Sequence, residues 1–374
     1  MRVLIAPDSY KSSLHSTEVA EYIGQGLLRL EGIEAVTCPL ADGGEGTGDI
    51  IVRYLHGEKV PARTVDTFGH PQDGWWIRWG RTAFVESSVG SPFIPMHKRR
   101  QSVWASTSQG TGRLAAQALQ DPDINQVVVS LGGTGCVDGG IGFLQALGTK
   151  FYDAHNNILP PQARSLGKVE RVVWPKLPKP LTGLYDTFVP LLGPQGAVSV
   201  YGSQKGISED MKSAFESAME HFARVLQGPI SLANHLGSGA AGGLGFGILA
   251  LGGELKPGAA TIAEWMELDK KIQQADVVIT GEGQLDAQSL LGKVVGAVIS
   301  ACKDFSKPVL ALVGSYPLDL SPFYGAGLTG VLTLVPGPVT LDEAIQNAPR
   351  LLSLAGENIG RILKARDLPM TTKG

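Results

Sequence analysis

An alternation repeated at both ends of the chain restricts its fold more than any other feature. A short apolar run is followed by a glycine loop carrying acids, and then by apolar residues at helical spacing. "RVLIA" (2–6) is apolar and β-branched and stops at a proline, as a short buried strand does. Ser16 is placed to cap a helix with Glu18 in its first turn, and Val19, Ile23, Leu27 and Leu30 follow on one face. "EAVTCPL" (34–40) reads as a second strand. The loop "ADGGEGT" (41–47) comes next, and Ile50, Ile51, Tyr54 and Leu55 line a second helix. A β-α-β-α order of this kind implies parallel strands joined by right-handed crossovers. The pattern returns at Asp276 with "DVVIT" as a strand, "GEGQLD" as a loop and a helix expected over 288–303. "PVLALVG" and "GVLTLVPG" are two further strands.

The middle of the chain has another character. "ARTVDTFGHPQDGWWIRWGRTAFVESS" (62–88) predicts turn-rich antiparallel strands, with Trp75, Trp76 and Trp79 as packing residues. A strand–loop–helix unit follows at 124–148, and a glycine-rich apolar stretch at 237–253. The expected fold class is therefore α/β with two domains. Residues 1–60 and 270–374 form a parallel-sheet, Rossmann- or flavodoxin-like domain, and 61–269 an inserted mixed α/β domain. A length of 374 residues suits two such domains, and 43% hydrophobic residues supply their cores.

The net charge of -3 argues against a general nucleic-acid or anionic-membrane surface. Cys38, Cys136 and Cys302 are odd in number and widely spaced, which points to reduced thiols and a cytoplasmic protein. The first apolar run is too short for a signal peptide, and no stretch approaches membrane-spanning length.

Three acidic glycine loops stand at the carboxyl ends of predicted strands: "ADGGEGT" (41–47), "GGTGCVDGG" (132–140) and "GEGQLD" (281–286). Ligands of open parallel sheets bind outside these ends. Glycine lets backbone N–H groups approach phosphate oxygens, and a following helix adds a positive dipole. Carboxylates suit such a place once Mg²⁺ is present, because a hard cation takes carboxylate oxygens and bridges to phosphates. One acid would also serve as a general base towards an attacking hydroxyl. The alternative for each loop is a tight turn whose acid caps a helix. "APDSYKSSLHS" (6–16) adds Asp8, Ser9 and Lys11, with Lys11 able to neutralise a phosphate or a carboxylate.

Other signatures are missing. "LLGKV" has Gly292-Lys293 but Ala287 stands where a P-loop needs its leading glycine. The seven histidines are scattered, which disfavours zinc. "GSGAAG" (237–242) matches a dinucleotide fingerprint formally, but "SLANHL" before it is a poor strand.

In this order, "APDSYK", "PLADGGEGT", "TSQGTG", "GGTGCVDGG", "PLLGPQGA", "QKG", "GAAGGLGFG" and "TGEGQLDAQSLLGK" resemble the bacterial glycerate kinases through nearly the whole chain. The resemblance implies phosphoryl transfer from ATP, with Mg²⁺, to D-glycerate, giving 2-phosphoglycerate. It also implies two α/β domains, one inserted in the other, with the active site in the cleft between them. The family pattern has Asn where this chain has Val137 and Val189, and Arg where it has Gln284, while Asp138 and Asp186 are kept.

On this reading Asp42 is the candidate general base, and Lys11 and Asp286 are its catalytic companions. Asp42, Asp138 and Glu282 are candidate metal contacts. Asp8, Ser9, Gly43, Gly44, Glu45, Gly132, Gly133, Asp138, Asp186 and Glu282 are candidate substrate or nucleotide contacts. Lys205 and Lys293 are weaker candidates for the role of Lys11, since a lysine late in a helix turn is usually solvated. The expected partner is a small hydroxy acid, with no nucleic acid and no membrane; a homodimer is left open. Alternatives are a kinase of another hydroxy acid, a ligand-binding relative without catalysis, and an NAD-dependent dehydrogenase.

Overall fold

The apolar runs become strands. In the computed structural model, which describes residues 1–227 and 232–365, the first six are β1 (Arg2–Ile5), β2 (Glu34–Thr37), β3 (Glu58–Val65), β4 (Pro71–Trp79), β5 (Thr82–Glu86) and β6 (Gln126–Leu131). They are followed by β7 (Lys150–Tyr152), β8 (Arg171–Val173), β9 (Leu181–Tyr185), β10 (Glu254–Pro257), β11 (Val277–Gln284), β12 (Val309–Ser315) and β13 (Gly330–Thr333). The chain divides into two compact units, one of residues 1–42 with Ala259 onward, the other Gly43–Gly258.

The first unit is a five-stranded sheet in the order β13-β12-β11-β1-β2, parallel throughout. Its central pair has Val3 opposite Val277 and Ile5 opposite Ile279. These side chains and Leu312 pack with Val19, Ile23 and Leu27 of helix Ser16–Leu27 and with Leu352 and Ile359 of helix Leu341–Lys364. Burying each such aliphatic side chain contributes about 1.5–3 kcal/mol. The two helices touch through backbone. A Cβ on Gly26 would lie 2.0 Å from the Ser353 carbonyl oxygen, and one on Gly356 would lie 2.3 Å from that of Ile23.

Several local expectations shift. The cap of the first helix is His15, whose N–H donates to Glu18 Oε2 at 3.0 Å, and Ser16 is the first helical residue. Residues 281–284 are not a loop: β11 continues through them, because Gly281, Glu282 and Gln284 pair with Leu312, Val313 and Ser315 of β12. The following helix starts at Val294. A short 3₁₀ turn (Ala287–Leu290) and Gly292 at φ 75° take up the residues before it.

The second unit carries a six-stranded sheet in the order β10-β9-β6-β5-β4-β3. The tryptophan stretch is antiparallel, β3 with β4 and β4 with β5, as its turns suggested. The remaining strands, β5, β6, β9 and β10, run parallel. Trp76 is in the core, and Lys59 Nζ lies 4.2 Å from the ring centre of Trp75. Residues 43–60, expected with the first domain, lie in this unit, and 259–269, expected in the insertion, lie in the other. Helix Thr47–Tyr54 packs on β4 and β5, which accounts for the earlier boundary.

In "GSGAAG" the helix Ala240–Ala250 is broken by left-handed residues Ala241, Gly242 and Gly243 (φ 52°, 70° and 94°). No strand precedes it within residues 232–236; Ser231 lies outside the described residues. The dinucleotide geometry of strand, glycine turn and helix is therefore not formed. Among the described residues no helix is long and apolar enough to cross a membrane.

Candidate functional site

In the first unit β2 lies on one side of β1 while β11, β12 and β13 lie on the other, so the crossover out of β1 and the one out of β11 run in opposite directions. This is the switch point of a doubly wound sheet, and its crevice opens at the carboxyl ends of β1 and β11. The sequence places "APDSYK" after β1 and "GEGQLD" at the end of β11. The loop after β1 lies across the strand: Ala6 N–H donates to the Ile279 carbonyl at 2.7 Å and Asp8 N–H to that of Gly281 at 2.8 Å. Tyr10 Oη donates to the Leu312 carbonyl at 2.6 Å. Only glycine fits at 281, where a Cβ would lie 1.9 Å from the Leu312 carbonyl oxygen.

This loop gathers charge. The Asp8 carboxyl is held well above the usual carboxylate range, first by burial and then by the nearby charge of Asp42, with Glu282 adding to it. The Ser9 N–H, donating to Asp8 Oδ1 at 2.7 Å, and Lys11 pull the other way. Glu282 is also raised, chiefly by burial, while Ser289, Lys293 and Lys11 oppose the shift. Its Oε1 is buried without a hydrogen-bond partner among the described residues. Asp286 is a cap, its Oδ1 accepting from Gln288 N–H at 2.8 Å. The structure thus brings together Asp8, Ser9, Lys11, Asp42, Glu282 and Asp286.

Desolvated carboxylates, Asp8 raised further by Asp42 and Glu282, and Glu282 by Asp286, with an orphaned oxygen among them, fit a hard divalent cation. No group of three His, Cys, Asp or Glu ligands is preassembled among the described residues. Asp8 and Glu282 are the carboxylates that would hold such an ion.

In the second unit the carboxyl ends of β5, β6 and β9 are neighbours. They carry Glu86, the loop from Gly132, and Asp186 respectively. The loop 43–47 is seated on them. A Cβ on Gly132 would lie 2.6 Å from Gly44 Cα and 3.1 Å from Asp186 Oδ2, and one on Gly133 would lie 3.6 Å from Glu45 Cβ. Gly43 adopts φ 88° with Gly258 Cα 2.9 Å from its missing Cβ. So Gly43, Gly44, Glu45, Gly132, Gly133 and Asp186 converge.

Asp138 belongs to a different structure. Its Oδ2 accepts from Ser108 N–H at 2.7 Å, Ser108 Oγ at 2.8 Å and Gly142 N–H at 3.1 Å, and its Oδ1 accepts from Gly140 N–H at 3.1 Å. With 0% exposure and four donors, this carboxylate ties the loop to two helix starts. Its geometry is that of a cap, the alternative weighed for each acidic loop.

One residue escaped local reading and another was ranked low. Glu86 is 4% exposed and accepts from Gly46 N–H at 2.8 Å and Gly48 N–H at 3.2 Å, capping helix Thr47–Tyr54 from another strand. Burial pushes its carboxyl up to about 7 against those N–H groups. An acid closing the run "TAFVE" was the available signal. Lys205, ranked a weaker candidate because such lysines are usually solvated, is 6% exposed, with Nζ donating to Thr134 Oγ1 at 3.0 Å and to the Cys136 carbonyl at 3.3 Å.

A profile of the glycerate kinase family matches residues 3–364. The chain belongs to the glycerate kinase family. Membership makes it a phosphotransferase, an enzyme of the kinase class. It is 35% identical to the glycerate 2-kinase of Escherichia coli K12, over 97% of this chain and 98% of that one. The glycerate kinase of Bacillus subtilis 168 is 32% identical over the same shares. The crystal structure of a protein described as glycerate kinase 2 from Salmonella typhimurium LT2 superposes with a TM-score of 0.83 at 32% identity, covering 98% of this chain and 99% of that one. Of the departures from the family pattern, Val137 is fully buried in an apolar cluster, so its side chain serves packing. Gln284 is exposed at the end of β11.

Proposed function

We propose that the enzyme transfers the γ-phosphoryl group of ATP, with Mg²⁺, to the 2-hydroxyl of D-glycerate, giving 2-phosphoglycerate and ADP. The convergence of Asp8, Asp42, Glu282 and Lys11 at the switch point of the first sheet carries this reading. The name of the Escherichia coli relative, glycerate 2-kinase, supports the position of attack.

Phosphoryl transfer asks a protein for alignment and charge neutralisation more than for covalent chemistry. The hydroxyl oxygen forms a bond to the γ-phosphorus, the bond from that phosphorus to the β,γ-bridging oxygen breaks, and ADP leaves with the electron pair. Asp42 takes the hydroxyl proton. Lys11 neutralises charge on the transferred group. Mg²⁺, when bound, would screen the phosphate oxygens, and Asp8 and Glu282 are the residues to hold it. The glycines of 43–44 and 132–133 let backbone approach a ligand where side chains would not fit.

The test is ADP release from Mg-ATP with and without D-glycerate, beside other small hydroxy acids, with the product's phosphate position read by NMR. Release that requires glycerate and yields the 2-phosphate is expected. Asp42→Asn should lower kcat by about 100-fold or more, and a loss of less than about tenfold would rule out the base role. Release with a different acid only would place this chain among kinases of other hydroxy acids, and Val189 and Gln284 would be the first positions to exchange.

A further inference from the structure

Lys205 follows helix Ala197–Tyr201, and its ammonium is sealed inside the second unit. An ammonium group has three donors and no acceptor. Here two neutral oxygens, Thr134 Oγ1 and the Cys136 carbonyl, receive it. No carboxylate within ion-pair distance is recorded for it among the described residues, and the Asp186 and Asp138 charges act on it from further away. Asp138 is itself filled by four donors.

A second cation stands beside it. Arg99 donates Nη1 to the carbonyl of Lys205 itself and Nε to the Ile94 carbonyl, and its guanidinium lies over the Phe93 ring at 5.3 Å from the centroid. Those contacts lock the side chain, yet Nη2 is buried with no hydrogen-bond partner among the described residues. Two like charges tied to one turn oppose each other: burial weakens the hold of Lys205 on its proton and the half-buried Arg99 adds to this, while the Asp186 and Asp138 charges act the other way. Neutral oxygens compensate a buried cation poorly. An arrangement of this kind is stable in use when an anion completes it, and Arg with Lys is the pairing that receives carboxylate or phosphate oxygens. Thr134 continues the glycine pair Gly132-Gly133, so its hydroxyl is at the end of the loop already placed in the site.

We propose that Lys205, Arg99 and Thr134 form an anion subsite that takes the carboxylate of the acceptor acid. The assignment deepens the glycerate kinase reading and rests on it for the identity of the acid. The enzyme would then reject the corresponding neutral alcohol, glycerol.

Two kinds of measurement test it. Direct binding needs no turnover: thermal stabilisation by D-glycerate alone and by inorganic phosphate alone, in wild type, Lys205→Met and Arg99→Gln. Steady-state kinetics then separates the substrates. The expected result is a KM for glycerate raised by about tenfold to a hundredfold in both variants, with kcat changed less and the KM for ATP unchanged. Stabilisation by glycerate should be lost in parallel, and Lys205→Arg should recover part of both. A raised KM for ATP, with lost stabilisation by phosphate instead, would keep the anion subsite and transfer it to a nucleotide phosphate, overturning the carboxylate assignment. Unchanged KM values and unchanged stabilisation by both anions would overturn the subsite altogether. If Lys205→Met does not fold, Arg99→Gln decides alone. If wild type shows no turnover with glycerate, the kinase reading fails, and the binding arm still decides the subsite.

Discussion

A carboxylate sealed from water that still accepts two backbone N–H bonds is balanced between its charged and neutral forms. Glu86 is in that position, with its carboxyl pushed up to about 7. In the unfolded chain it would release its proton near 4.5, the ordinary value for glutamate. The folded protein therefore binds the proton more tightly, and the stability this supplies is full below about pH 4.5, declines as pH rises, and is gone above about pH 7. Urea unfolding of wild type and Glu86→Gln at ~pH 4.5 and ~pH 8 measures it. The stability of wild type relative to the variant should fall by about 1–3 kcal/mol across that range. Parallel profiles would show that Glu86 does not titrate there. Residue identity alone could not sort the acids of this chain. Asp42 and Glu282 drew notice as candidates because acids set among glycines after an apolar run are uncommon in plain turns, whereas Asp8 lies in a stretch without glycine. Asp138 sits in the same kind of loop and is saturated by Gly140 and Gly142, as a local cap would be, and by Ser108, a partner 30 positions away that no local pattern names.

At the level of elements, periodicity was legible where one face of a helix meets a sheet, as for Val19, Ile23 and Leu27. What a helix does with its other neighbours was not. Gly26 reads as a weak point in helix Ser16–Leu27, since glycine costs about 1 kcal/mol there relative to alanine. The structure gives its reason, which is contact with the backbone of a helix more than 300 positions later in the chain. Gly26→Ala, although better for an isolated helix, should destabilise the protein by about 1–3 kcal/mol, because backbone carbonyls cannot yield as a flexible side chain would. A lower urea midpoint with an unchanged slope is the expected observation; an unchanged or higher midpoint would mean that the helices separate at no cost. The end of β11 was misread for a related reason. Two glycines within "TGEGQ" look like a loop, and only the pairing with Leu312 and Val313 holds them extended.

At the level of the whole molecule, the membership of both chain ends in one sheet was legible, because each end repeats the same α/β alternation. The limits were not, because helix Thr47–Tyr54 looks like a crossover of the first sheet while packing on β4 and β5. One unit is continuous in sequence and the other is not. Contacts distant in sequence form late, since the chain entropy of closure precedes their reward. In refolding followed by pulsed hydrogen exchange, amides of β6 and β9 should therefore gain protection before that of Ala6, which donates to the Ile279 carbonyl of β11. Simultaneous protection would show a single cooperative event. The same layout sets a timetable during synthesis. At about 5–20 residues per second, the ribosome needs roughly 15–50 s after making Val3 to supply Val277, its partner in β11. Until then β1, an interior strand of the finished sheet, has β2 on one side and an open, apolar edge on the other. A cell making this enzyme quickly must shield that edge, so crowded overexpression should trap the chain at its amino-terminal strand first.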